Sequence, residues 1–261
     1  VAAERERRLA ALKSEFVANV SHELKTPLSL VRMFSELLST GRVSDEAKRQ
    51  KYLSIIVRES ERLSALIENV LDFARLERGK VAYQFEYADV VEVVSRAVEA
   101  FRHRAEREGM VLDMQVESNM PRTVLDEQAL ELALVNLLDN AMKYAKDGKL
   151  IRVEVRLRSA KTIEIRVTDQ GPGVPIDEQR RIFDRFVRGK GARDKQVRGS
   201  GIGLALVQHI ASNHGGQVWV ESTVGKGSSF LLTLPVRSQV SPSRAAFAQA
   251  PPNEAHRDAS E

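Results

Sequence analysis

The sequence predicts an all-α helical hairpin, completed as a four-helix bundle by a second copy, followed by an α+β two-layer sandwich. Three observations predict it. Apolar residues recur at spacings of three and four through the first eighty positions, with one glycine-centred break. Beyond Lys80 the period switches, and residues 151–157 and 163–167 alternate strictly between apolar and polar. Helical patterns at about 90–107, 126–146 and 201–213 are interleaved with those extended runs.

The first helix is expected over about 2–39, its apolar stripe carried by Leu9, Leu12, Phe16, Val20, Leu24, Leu28, Val31, Phe34 and Leu38. The charged run Glu4-Arg-Glu-Arg-Arg8 reads either as a coiled-coil connector or as a solvated helix end. Thr40-Gly-Arg-Val-Ser44 breaks the pattern. A second helix follows over about 45–78, and Gly79 ends it. One hairpin cannot cover two stripes of this length, whereas pairing with a second copy buries both, so a homodimer is expected.

At about 100° per residue, His22 falls about 160° from the mean direction of the first stripe, so its imidazole should face outward. An exposed neutral imidazole is a nucleophile. Glu23 can accept the other ring N–H, and Thr26 lies one turn on. Pro27 removes the bond to the carbonyl of Glu23 and should bend the helix. A lone surface histidine is, by itself, most often only a solvated side chain.

In the sandwich, strands are expected at 81–87, 110–116, 121–125, 151–157, 163–167, 217–222 and 228–235, with Asp126 as a helix N-cap. The stretch 171–199 is long, rich in Gly, Lys and Arg, and partly helical near 177–183, which suits a mobile lid. Residues 237–261 have the composition of a disordered tail. In the helix after Asp126, Asn136, Asn140 and Lys143 flank the core stripe. Amide oxygens suit a hard cation such as Mg²⁺ and a lysine one turn on suits phosphate, although the two asparagines read equally well as partly solvated flank residues. Asp169 stands before Gln-Gly-Pro-Gly173, where an ionised carboxylate can select an exocyclic amine. In isolation, a plain Asp and Gly turn accounts for such a stretch more often. Gly199-Ser-Gly-Ile-Gly203 precedes a helix, whose bare N–H groups favour phosphate.

Composition narrows the field. With 261 residues, 43% hydrophobic, 29% charged and no cysteine, the chain has room for two domains and excludes disulfide scaffolds and thiolate metal sites. The net charge of +4 is modest and dispersed, giving no support to nucleic-acid binding. No apolar run is long enough to cross a bilayer, so no membrane contact is expected of this segment. The chain opens at Val1 and runs straight into charged helix, so we expect it to be the downstream part of a longer protein.

Taken in order, Ser21-His-Glu-Leu-Lys-Thr-Pro-Leu28, then Asn136, Asn140 and Lys143, then Asp169 to Gly173, then Phe183 and Phe186, then Gly199 to Gly203, then Gly225 and Gly227, resemble the H, N, G1, F, G2 and G3 boxes of sensor histidine kinases. The likeness runs from about Ala10 to Val236. It implies a connector at 1–13, a dimerisation and histidine-phosphotransfer domain at 14–80, a Bergerat-type ATP-binding domain of the GHKL group at 81–236, and a tail at 237–261. It implies that His22 is the phosphoacceptor, Glu23 its base partner, and Thr26 the residue that positions water for dephosphorylating a partner. Asn140 matches the Mg²⁺ ligand with Asn136 beside it, Lys143 and Tyr144 match residues that contact ATP, and Asp169 matches the adenine reader. Gly171, Gly173, Phe183, Phe186, Gly199, Gly201, Gly203 and Leu204 fall in the nucleotide boxes, and Arg188 fits an arginine that reaches the γ-phosphate. Ser200 and Ser228 stand where other members often carry threonine. The implied reaction is ATP-dependent phosphorylation of His22 and transfer to an aspartate of a response-regulator receiver domain. Phosphatase action on that partner is implied as well. A nucleotide-gated scaffold or phosphatase with little kinase activity is the alternative. The resemblance also implies an upstream sensor module in the same protein, a cytoplasmic location for this segment, and for the full-length chain the option of an inner-membrane anchor in its N-terminal part.

Overall fold

The computed structural model describes residues 2–41, 43–77, 83–145, 149–185, 187 and 201–238. Residues 78–82, residues 186 and 188–199 of the expected lid, and the tail beyond 238 lie outside the described residues.

Helix α1 (Ala2–Ser39) and helix α2 (Glu46–Glu77) pack as a hairpin. The chain leaves α1 through Gly41, whose φ of 64° is the left-handed conformation that terminates helices. Asp45 caps α2 by accepting the N–H of Ala47 at 2.9 Å. Phe34 and Tyr52 pair across the hairpin with ring centroids 4.7 Å apart. Helix α1 continues through Pro27, whose side chain is buried. The apolar faces are only half covered. Val20 is buried, but Leu28, Val57 and Leu71 expose about half their surface (57%, 56% and 50%).

The second unit is built on a mixed five-stranded sheet. Its strands are β2 (Val111–Val116), β4 (Leu150–Ser159), β5 (Thr162–Asp169), β6 (Val218–Thr223) and β7 (Gly227–Pro235), in spatial order β2-β4-β5-β7-β6. The β2–β4 pair is parallel and the other three are antiparallel. Strands β1 (Glu86–Ala88) and β3 (Thr123–Leu125) form a separate antiparallel ribbon. Among the described residues three helices complete it: α3 (Val90–Arg107), α4 (Glu127–Tyr144) and α5 (Gly203–Asn213). Their apolar stripes meet the alternating residues of the strands, so that Val94, Leu134, Leu137 and Leu206 share one core with Ile151, Val153, Ile165 and Val167. A leucine buried as fully as Leu137 is worth about 2–5 kcal/mol against alanine.

Asp126 organises the entry to this unit. Its Oδ1 accepts the N–H of Ala129 at 2.9 Å as the α4 N-cap, and its Oδ2 accepts the N–H of Gln84 at 2.7 Å. Its own N–H donates to Nε2 of His214 at 3.0 Å, while Nδ1 of that ring pairs with the carbonyl of Ile210 at 2.8 Å. Burial holds the His214 pKa below its ordinary value, which keeps the ring neutral and Nε2 an acceptor. Tyr83 and Phe85 pack their rings on His214.

Three expectations are corrected. Of the strand expected at 81–87, the described part, from Tyr83 on, is extended strand only over Glu86–Ala88, because β3 offers only three residues to pair with and the N–H of Gln84 is taken by Asp126. The helical stretch expected near 177–183 is a turn followed by one 3₁₀ turn, Arg181–Phe183. The last helix begins at Gly203 rather than Gly201, which adopts a left-handed φ of 72°.

On the sheet face away from the helices, Glu164 is almost fully covered by arginines, with Arg156 at 2.7 Å, Arg166 at 3.5 Å and Arg158 at 3.6 Å. Arg158 also lies over the ring of Trp219, 4.9 Å from its centroid.

Candidate active site

His22 is solvent-exposed on α1, as the periodicity requires. The hydroxyl of Thr26 donates to the carbonyl of His22 at 3.3 Å, fixing that side chain one turn below the imidazole. Glu23 is half-buried, and its Oε1 is shielded from solvent without a hydrogen-bond donor among the described residues.

In the second unit, helix α4 is the hub. Asn136 is buried; its Nδ2 donates to the carbonyl of Leu132 at 2.9 Å, and its Oδ1 faces Gly203 so closely that a Cβ there would lie 2.6 Å away. The missing side chain of Gly203 thus brings the N-terminus of α5 onto the asparagine face of α4. Asn140 and Lys143 continue that face, half-exposed, and Tyr144 ends the helix. Next to Tyr144 sits Gly171, where a Cβ would stand 2.8 Å from the Tyr144 carbonyl oxygen and 2.8 Å from Oδ1 of Asp169. The G1 turn is therefore pressed against the C-terminal end of α4.

Asp169, the last residue of β5, is buried with Oδ1 accepting the N–H of Gly171 at 2.8 Å. Burial pushes its pKa up to about 6, against the opposing pull of backbone N–H donation from Gly171 and Ser228. A buried carboxylate this poorly compensated is suited to one more donor, and an exocyclic amine is such a donor. Gly173 and Gly227 let the surrounding backbone close in, since a Cβ at either would collide with the carbonyl oxygen of Thr223 or of Asp169.

Of the remaining positions read from the sequence, Phe183 is buried edge-on against Phe230, centroids 6.4 Å apart, and Leu204 packs against the core. Gly201 is described, but Phe186, Arg188 and Gly199 lie outside the described residues. Asn136, Asn140, Lys143, Tyr144, Asp169, Gly171, Gly201 and Gly203 are brought to one region by α4, the end of β5 and the start of α5. His22, Glu23 and Thr26 lie on the hairpin.

Residues 12–79 match the His Kinase A (phospho-acceptor) domain, and residues 125–238 match the histidine kinase-, DNA gyrase B-, and HSP90-like ATPase. The chain is 31% identical to the solved mycobacterial sensor histidine kinase MprB, covering 99% of that chain and 59% of this one with a TM-score of 0.51. The chain belongs to the sensor histidine kinases. Among relatives of this kinase, the sensor-like histidine kinase SenX3 of Mycobacterium tuberculosis is 37% identical over 228 residues, 87% of this chain and 55% of SenX3. The sensor protein kinase WalK of Staphylococcus aureus is 32% identical over 233 residues, 89% of this chain and 54% of that protein. Full-length ShkA, solved in complex with AMPPNP, superimposes with a TM-score of 0.62 at 28% identity, covering 86% of this chain and 46% of ShkA. The kinase chain spans about half the length of the curated relatives it matches.

Sequence reasoning missed two arrangements around helix α4. Asp139, given no role from the sequence, pairs with Lys143 on one side and with Arg104 of α3 on the other, at 2.5 and 2.9 Å. Its position four residues before Lys143 was the available signal. His214 and Asp126 join across 88 positions, and no local pattern encodes that bond.

Proposed function

We propose that this chain is the catalytic core of its protein: residues 14–80 form the dimerisation and phosphotransfer domain, and residues 81–236 bind ATP and phosphorylate His22. The observation that carries the reading is that one chain holds an exposed histidine on a phospho-acceptor hairpin and a buried, glycine-flanked Asp169 in an ATPase-type unit.

In this reading Asp169 accepts the adenine amine, and the α5 N-terminus and Lys143 take the phosphates. Arg188 and the glycines around Gly199, though outside the described residues, belong to the same assignment. Among the described residues no cluster of three His, Asp or Glu can hold a metal. Asn140 would offer a bound Mg²⁺ an amide oxygen, a hard ligand of the kind that ion takes. That ion neutralises charge on the phosphates when bound.

A ring nitrogen of neutral His22 attacks the γ-phosphorus in line. A P–N bond forms, the bond to the β,γ-bridging oxygen breaks, ADP leaves, and the proton on the other ring nitrogen passes to Glu23, whose Oε1 has no hydrogen-bond donor among the described residues. The phosphoryl group then moves to an aspartate carboxylate of a receiver-domain partner, exchanging P–N for P–O. Thr26 positions the water that hydrolyses the partner's aspartyl phosphate in the phosphatase reaction. A homodimer accounts for the half-exposed apolar residues on both stalk helices. The upstream sensor module and any membrane anchor belong to the part of the protein beyond this chain. No helix among the described residues is long and apolar enough to cross a membrane.

Incubation with γ-labelled ATP and Mg²⁺ tests the reading. Wild type should carry acid-labile, base-stable label that chases onto a receiver domain. His22→Gln should bind ATP without label, and Asn140→Ala should lose both. Wild-type protein that binds ATP but stays unlabelled would favour the scaffold alternative.

A further inference from the structure

The ammonium of Lys143, assigned above to phosphate, is already engaged in this structure. It lies 2.5 Å from Oδ2 of Asp139, one turn earlier on α4. The other carboxylate oxygen, Oδ1, takes a hydrogen bond from the Arg104 guanidinium of α3 at 2.9 Å. Arg104 is itself held in place, with its Nε on Glu108 at 3.1 Å and its guanidinium 5.9 Å from the centroid of Phe101. The carboxylate is thus held between two cations, one on each oxygen.

A lysine has one ammonium, and a carboxylate one turn away competes for it with phosphate. We propose that Asp139 is a positioning residue that stands in for phosphate in the nucleotide-free domain, holding the Lys143 ammonium until nucleotide takes it over. Arg104 makes the exchange feasible. When Lys143 turns to phosphate, the half-buried Asp139 keeps a guanidinium partner on its second oxygen and is not stranded as an unpaired anion. The pair therefore sets the affinity for the phosphate part of the ligand and leaves the adenine part untouched. This inference rests on Lys143 being a phosphate contact, as proposed above.

The test is a set of dissociation constants for ATP, ADP and adenosine with Mg²⁺, measured by calorimetry and NMR titration on the whole chain. Asp139→Asn should bind ATP and ADP about two- to fivefold more tightly, the range of a solvent-accessible ion pair, with adenosine unchanged. The same substitution in a Lys143→Gln background should have no effect. Arg104→Gln should weaken ATP and ADP binding, because Asp139 then depends on Lys143 alone. A second readout needs no nucleotide: acetylation of Lys143, followed by mass spectrometry, should run faster in Asp139→Asn than in wild type. Unchanged or weaker ATP binding in Asp139→Asn, or a gain that survives without Lys143, overturns the proposal. If Lys143→Gln alone leaves ATP affinity intact, the phosphate assignment of Lys143 falls instead.

Discussion

The side-chain oxygen of Asn136 on α4 lies where a Cβ on Gly203 of α5 would come within 2.6 Å of it. The close approach of these two helices is set by that missing methyl group. Gly203→Ala should push Asn136 aside, weakening ATP binding severalfold while the melting temperature changes little, since the obstructing atom ends a side chain. Gly216→Ala is the contrasting case. There a Cβ would meet the backbone oxygen of Thr233 at the edge of the sheet, and the clash should cost about 3 kcal/mol, or roughly 6–12 °C in Tm. Nucleotide titrations and thermal melts of the two variants check both statements.

The Asp169 carboxyl, raised to about 6 by burial, predicts an inverse pH dependence for the nucleotide-free chain. An acid whose folded pKa lies above its unfolded value contributes stability that is complete below the unfolded pKa and is lost as pH rises through about 6. Asp169→Asn should therefore be more stable than wild type at pH 8, by up to about 3 kcal/mol, and indistinguishable from it below about pH 4. ADP should bind wild type more weakly at pH 5 than at pH 8, because the adenine amine needs the ionised form, and should bind Asp169→Asn poorly at both. Urea unfolding and calorimetry at about those pH values settle the signs.

Asp126 carries two acceptor oxygens with two different clients, the Ala129 and Gln84 amides. Asp126→Ala should cost about 2 kcal/mol, combining a lost N-cap with an unpaired backbone donor, and Asp126→Asn about half of that because one acceptor survives. Amide hydrogen exchange at Gln84 should quicken in the alanine variant. Unchanged protection at that amide would contradict the arrangement.

Val57, 56% exposed on α2, belongs to the uncovered apolar face of the hairpin. Val57→Asp should leave the isolated hairpin folded but shift sedimentation at micromolar concentration from dimer to monomer, since a charge in a bundle core is not tolerated. If the substituted chain remains dimeric, the second copy docks elsewhere.

The parts of the fold written in local periodicity were legible. The outward-facing His22, the core face of α4, the β4–β5 hairpin and the Asp126 cap follow from spacing and capping alone. What spacing could not show is what a neighbour does to a residue. Asn136 reads as a helix flank, yet it is buried because Gly203 admits another helix. Glu164 sits at an outward position of an alternating strand, yet three arginines from its own sheet cover it. The shortened β1 depends on a carboxylate 42 positions downstream of Gln84. Order of motifs, more than any single motif, is what made the nucleotide region readable.

The Gln84–Asp126 bond has a mechanical corollary. The backbone just after the linker and the first turn of the helix bearing Asn136 and Asn140 hang from a single carboxylate. A tug on the incoming chain at Gln84 is thus felt at the root of α4, with no intermediate lever required.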